Sequence, residues 1–156
     1  MTFQSRIIRH IVGGYLINLI KKSIYTSLIT MFPNAVYYNH APTSATGKRI
    51  IYDVFNITDD SAMATTGNPN ESLRCSFQVL VEYPTDQLKT YTSVDVDSDI
   101  DTIKTLMRFN DLSCTGSGIT VKTNSLLVDL ITPARFDNNN KVWFAVIRFT
   151  ASFSKE

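Results

Sequence analysis

The stretch SLRCSFQVLVEY, residues 72–83, alternates more regularly than any other part of the chain. Leu73, Cys75, Phe77, Val79, Val81 and Tyr83 fall on one face, while Ser72, Arg74, Ser76, Gln78 and Glu82 fall on the other, and only Leu80 interrupts the polar side. A two-residue period of this kind belongs to a strand with one buried face. Such a face needs a covering layer, and helical patterns lie both before and after it. The expected fold class is therefore α+β: a single domain over residues 1–156, with a mixed or antiparallel sheet on which an N-terminal amphipathic helix and a second helix pack.

Working outward to the N-terminus, Ile7, Ile8, Ile11, Val12, Tyr15, Leu16, Leu19 and Ile20 recur at helical spacing, and Ile24, Leu28 and Met31 extend the stripe until Pro33 ends it. A signal peptide is disfavoured because no small-residue cleavage site follows the apolar run and the helical pattern continues past Lys21 and Lys22. A membrane span is disfavoured because that run is short and contains Gly13, Gly14 and Asn18. Residues 35–38 and 48–57 read as strands on either side of a turn-rich link. Residues 58–70, TDDSAMATTGNPN, have no hydrophobic period and consist of residues that favour turns. This long polar loop, with Thr58, Asp59, Asp60, Thr66, Asn68 and Asn70, is a candidate interface, either as a hairpin tip or as a segment ordered by a partner.

Towards the C-terminus, residues 96–109 predict the second helix, with Val96, Ile100, Ile103, Leu106 or Met107, and Phe109 as its buried stripe. Asp95, Asp97, Asp99 and Asp101 crowd its start, where carboxylates cap exposed amides and oppose the helix dipole. A calcium loop is excluded, since Ile100 and Leu106 stand where its glycine and closing glutamate belong. Residues 119–123, 126–132 and 142–153 then read as strands, with the DNNN turn at 137–140 joining the last two as an antiparallel hairpin. The final strand alternates Trp143, Ala145, Ile147, Phe149, Ala151 and Phe153 against Val142, Phe144 and Val146, so its first half is apolar on both faces. Val142, Phe144 and Val146 are therefore a candidate second core face or subunit interface. Cover by a helix is the favoured expectation, because two helices can occupy the two faces of one sheet.

The 156 residues are 44% hydrophobic and 19% charged, with a net charge of +1, which suits one domain with its own core. The near-neutral balance argues against a dedicated nucleic-acid binder, which normally carries a basic surplus, yet it is compatible with a protein that DNA merely passes. Cys75 and Cys114 lack CxxC spacing and read as reduced thiols in or near the core. Gly47-Lys48 fails as a phosphate loop, because Pro42 and Arg49 occupy positions that need glycine and Ser or Thr. His10 and His40 are the only histidines and lack metal-site or catalytic spacing. The reading is of a protein that is not an enzyme, with no catalytic residues, no metal and no cofactor.

The order of elements resembles that of the phage tail terminator family. The resemblance is carried by the N-terminal helix, the strand and turn Val36-Tyr37-Tyr38-Asn39-His40-Ala41-Pro42, the strand around Ile50-Ile51-Tyr52, the Phe77-Gln78-Val79-Leu80-Val81 strand, the helix after it and the closing strand over residues 143–149. The chain departs from the family at Lys48-Arg49, where a proline often precedes the second strand, and in its long 58–70 loop. The resemblance implies a structural virion protein of the tail or neck, present in the host cytoplasm during assembly. Its partners would be further copies of itself in a ring, expected to be a hexamer, together with the tail-tube protein and a neck or head-completion protein. DNA would pass through without sequence-specific binding, and no membrane would be involved. The alternatives are another tail or neck component, or a small-ligand-binding α+β domain using the sheet face under the first helix.

Overall fold

In the computed structural model of the chain, described over residues 3–42, 45, 47–59, 72–85, 91–107, 112–116 and 119–155, the alternating stretch is strand β3, Ser72–Pro84. It lies between β2 (Arg49–Asp59) and β7 (Val142–Lys155) and is antiparallel to both. The seven-stranded sheet runs β1-β2-β3-β7-β5-β4, with β1 (Val36–Tyr38) parallel to β2 and β6 (Arg135–Asp137) also paired to β7. The fold is an α+β domain with a mixed sheet. Among the described residues two helices pack on it, α1 (Phe3–Met31) and α2 (Ser93–Leu106).

One face of the sheet is the core. Cys75, Phe77, Val79, Val81 and Tyr83 of β3 are buried beside Ala145, Ile147, Phe149, Ala151 and Phe153 of β7, as the alternation requires. Phe77 and Phe149 stand opposite each other in register and stack, with ring centroids 5.0 Å apart. Over them α1 lays Leu19, Ile20, Ile24 and Leu28, a stripe that returns every turn, and α2 lays Val96, Ile100 and Ile103. Ser23 also faces inward on α1, and its hydroxyl is satisfied by donating to the Ile20 carbonyl at 2.7 Å. The helix stops before Pro33, and Asn34 turns the chain at φ +63° into β1, a left-handed angle that asparagine tolerates.

Several expectations shift. Both described helices lie on the same face, so neither of them covers Val142, Phe144 and Val146. The reason is electrostatic: Arg49, Asp53, Glu82 and Arg148 share that second face, and a helix laid there would strip their charges of water. The predicted strands 119–123 and 126–132 are one strand, β5 (Ile119–Ile131), whose ladder to β7 shifts at Thr123/Ser125 and at Val128/Leu130. The polar Asn124-Ser125 interruption is thus a bulge rather than a break. Strand β4 (Cys114–Gly116), a hairpin partner of β5, and the short β6 are additional to the expected set.

The turn at residues 137–140 joins β6 to β7 rather than the longer strand to it. It is shaped by the Asp137 carboxylate, which accepts from the backbone of Asn139 and Asn140 at 2.9 and 3.2 Å and from the Asn140 side chain at 2.9 Å. Those bonds, led by the one from the Asn140 side chain, hold the carboxyl below the usual aspartate range.

The acidic run on α2 divides its roles. Asp95 accepts from the Thr92 backbone at 2.8 Å in a capping box. Asp97 instead accepts from the Ala134 backbone at 3.0 Å, and Asp99 binds Lys48 and Tyr83. Two of the four carboxylates therefore tie α2 to other elements instead of capping it. The helix begins at Ser93 and ends at Leu106, which is half exposed, so that Met107 supplies the last buried contact; Phe109 lies outside the described residues.

Replacing Phe77 with Ala removes the ring at the centre of this core and is expected to cost about 3–5 kcal/mol, read as a lower urea midpoint at unchanged slope. A midpoint equal to that of the parent would show that the ring is not packed as described.

Candidate assembly interface

The second face of the sheet is ordered in rows by strand register. Arg49, Glu82 and Phe144 form one row across β2, β3 and β7; Ile51, Leu80 and Val146 form the next; Asp53, Gln78 and Arg148 form the third. In the first row Arg49 and Glu82 are 2.8 Å apart and mostly shielded from water. In the third the Arg148 guanidinium donates to Gln78 at 3.4 Å and lies 4.8 Å over the exposed Phe55 ring. Arg49 and Arg148 each keep a buried Nε–H with no acceptor among the described residues.

The apolar middle row makes this face neither core nor ordinary surface. Ile51 is buried, and Leu80, Phe144 and Val146 are half-buried without any described helix above them. Val142, at the end of β7 next to the 137–140 turn, is 6% exposed. The three predicted residues Val142, Phe144 and Val146 are thus brought together, and with Arg49, Leu80 and Glu82 they line a shallow cavity of about 490 Å³.

The loop candidates fare differently. Thr58 and Asp59 are strand residues, opposite Arg74 and Leu73 in a long β2–β3 hairpin, because β3 begins early enough to give both a backbone partner. Asp60, Thr66, Asn68 and Asn70 lie outside the described residues.

A further apolar surface on β5 goes beyond the sequence reading. Leu127 is 64% exposed, and Val128, Leu130 and Ile131 are 40–42% exposed, while Leu126 of the same strand packs against the core. The signal was the unalternating run LLVDLI at residues 126–131, which puts apolar groups on both faces at once. The sequence does not show which neighbours a strand has in its sheet, so this exposure is not legible in it.

Elsewhere the polar groups are engaged with one another. The Tyr83 hydroxyl donates to Asp99, Lys48 lies 3.3 Å from the same carboxylate, and its ammonium sits 5.0 Å over Phe32 and 5.6 Å over Tyr83. This cluster ties β3, α2 and the approach to β2 together. Burial, reinforced by the bond to Asp99, pushes the Tyr83 hydroxyl far above its ordinary value, and burial pushes the Cys75 thiol up to about 12. Among the described residues no three His, Cys, Asp or Glu side chains gather as metal ligands, and no described helix is long and apolar enough to cross a membrane.

No protein-family model and no curated protein matches the chain. A solved structure whose name states no function has a similar fold. It is 14% identical, and the alignment covers 89% of this chain and 94% of that one with a TM-score of 0.51. At that identity the likeness bears on the fold alone.

Two outcomes follow from this geometry. Phe144→Ser is expected to leave the monomer folded, with a loss of about 1 kcal/mol for a half-buried ring, well below that of the Phe77 variant; a comparable loss would place Phe144 in the core. Alkali is expected to destabilise the domain. Above pH 9 an unfolded Cys75 thiol ionises while the folded one keeps its proton until about 12, so the unfolded state is favoured progressively across that window, and Tyr83 adds to the effect from about pH 10. The urea midpoint should fall from pH 9 to 11 and fall less steeply in Cys75→Ala, whereas a flat profile in the parent would contradict the burial of these groups.

Proposed function

We propose that this chain is a structural subunit of a bacteriophage virion, a tail terminator that assembles as a ring on the completed tail tube, ends its polymerisation and forms part of the head-tail joint. The observation that carries the reading is the apolar surface left open on β5 and on the second sheet face, Leu127, Leu130, Phe144 and Val146 among it, in a domain whose core is already complete. Soluble monomers seldom leave such surface in water, and a subunit of a larger assembly covers it with its neighbours. The order of elements described from the sequence supplies the tail-terminator part of the reading. The expected ring is a hexamer, with the tail-tube protein on one side and a neck or head-completion protein on the other. A net charge of +1 suits a channel that DNA traverses without being held.

A ligand-binding domain is the weaker reading, because the sheet face under α1, where its ligand would sit, is filled by Phe77, Phe149, Ile24 and Leu28. The test combines the purified chain with tubes grown from a phage tail-tube protein, viewed by negative-stain electron microscopy. Rings seated on tube ends, with elongation arrested, are the expected result. Open filaments of the chain itself would make it a tube protein, and free particles with tubes elongating normally would sink the reading.

A further inference from the structure

Among the described residues the sheet has two open edges. On one side β4 covers β5 only from Ile119 to Val121, and the Ser113 hydroxyl accepts from the Thr123 backbone at 3.1 Å; residues 125–131 have no strand outside them. On the other side β1 covers β2 only at Ile50, Ile51 and Tyr52, with the Asn39 backbone donating to the Tyr52 carbonyl at 3.0 Å; residues 53–58 are likewise uncovered. Open edges carry unpaired N–H and C=O groups that invite another strand, and proteins usually guard them with charge or proline. Residues 126–131 contain no proline and one charge, Asp129, which accepts a hydrogen bond from the Thr150 hydroxyl. Residues 53–58 contain one charge, Asp53, and the exposed Phe55.

We infer that the β5 edge at residues 125–131 is the docking site for the β2 edge, residues 53–58, of a second copy of this chain. The argument for that occupant is one of direction. Strands β2, β3, β7 and β5 are each antiparallel to the next, so β5 runs opposite to β2. A copy rotated about an axis along the strands brings its β2 beside β5 in the antiparallel sense, and the alternation continues unbroken. Repetition of the same step closes the sheet on itself and removes both edges at once. A two-fold pairing of β5 with β5 would bury the apolar run but leave every β2 edge open. The head-to-tail contact also supplies Phe55 as apolar cover for a strand on which Leu127 and Val128 are exposed. The inference deepens the ring reading and rests on self-assembly, not on the identity of the tail.

The experiment uses the full chain and two variants: Leu127→Lys with Ile131→Lys on one edge, and Phe55→Glu on the other, where Arg148 can receive the new carboxylate. All three positions are exposed, so melting temperatures should stay at the parent value. Light scattering over a concentration series should show a closed oligomer for the parent, and association weakened by more than about tenfold for each variant alone. Mixing the two variants should give one-to-one heterodimers and no closed ring, because the intact β2 edge of one variant meets the intact β5 edge of the other and the two edges left over are both altered. A parent that stays monomeric at every concentration overturns the inference, as do variants that oligomerise like the parent. Dimers of Phe55→Glu together with a monomeric β5 variant also overturn it, since they would reveal a β5–β5 contact. The tail reading fails separately: parent rings that depend on both edges yet do not cap tubes would refute that reading and leave the edge contact standing, whereas capping by the edge variants would do the reverse.

Discussion

Phe77 of β3 stacked on Phe149 of β7 is the contact from which the rest of the molecule is suspended. The two rings face each other across the central ladder, and both helices close over the same patch. Because side chains alternate along a strand, fixing those rings inward fixes the direction of every other residue on β3 and β7. Cys75, Val79, Val81, Ile147 and Ala151 must then line the core, and Gln78, Leu80, Glu82, Phe144, Val146 and Arg148 must face away from it. A one-residue slip would bury Arg148 and Glu82 beneath α1 and α2, at a desolvation cost that a marginally stable domain cannot carry.

Polar contacts set the helices on that core. Asp99 gathers the Tyr83 hydroxyl and the Lys48 ammonium, and Asp97 holds the Ala134 backbone, so the N-terminal half of α2 is fastened both to β3 and to the segment leading into β6. The Asp137 turn performs the same service for β7, since it determines where that strand begins and therefore which of Val142 and Trp143 points inward. These bonds add modestly to stability one by one. Their larger effect is to select one arrangement of an apolar layer that could slide.

The outcome is a domain whose two sheet faces have different fates. The helix-covered face holds the buried core of the described residues. The other has its charges arranged in rows around an apolar strip, and the strip leads along β7 towards the open, apolar β5. Ordinary solvation explains the charged rows, but it leaves Leu127 and Leu130 unexplained. Contact with further subunits is the reading that accounts for both, because a protein interface commonly pairs an apolar centre with a polar rim.

Much of this was determined by the sequence alone. The period of residues 72–83 specifies the buried face of β3, the stripe Leu19, Ile20, Ile24 and Leu28 specifies the inward side of α1, and Asp137 with its asparagines specifies a turn; in each case the information is local, a spacing or a side chain bonding its own backbone. What only the tertiary structure decided is the pairing of distant parts. The two helices share one face, which no periodicity can reveal, because each pattern says that a side is buried and not against what. Residues 119–131 run as one bulged strand because β7 holds both halves in a single ladder. Thr58 and Asp59 join β2 because Arg74 and Leu73 happen to lie opposite. The apolar run at 126–131 reads from sequence like any interior strand. It is exposed because β5 lies next to an edge of the sheet, and the place of a strand in a sheet is settled by its neighbours rather than by its own residues.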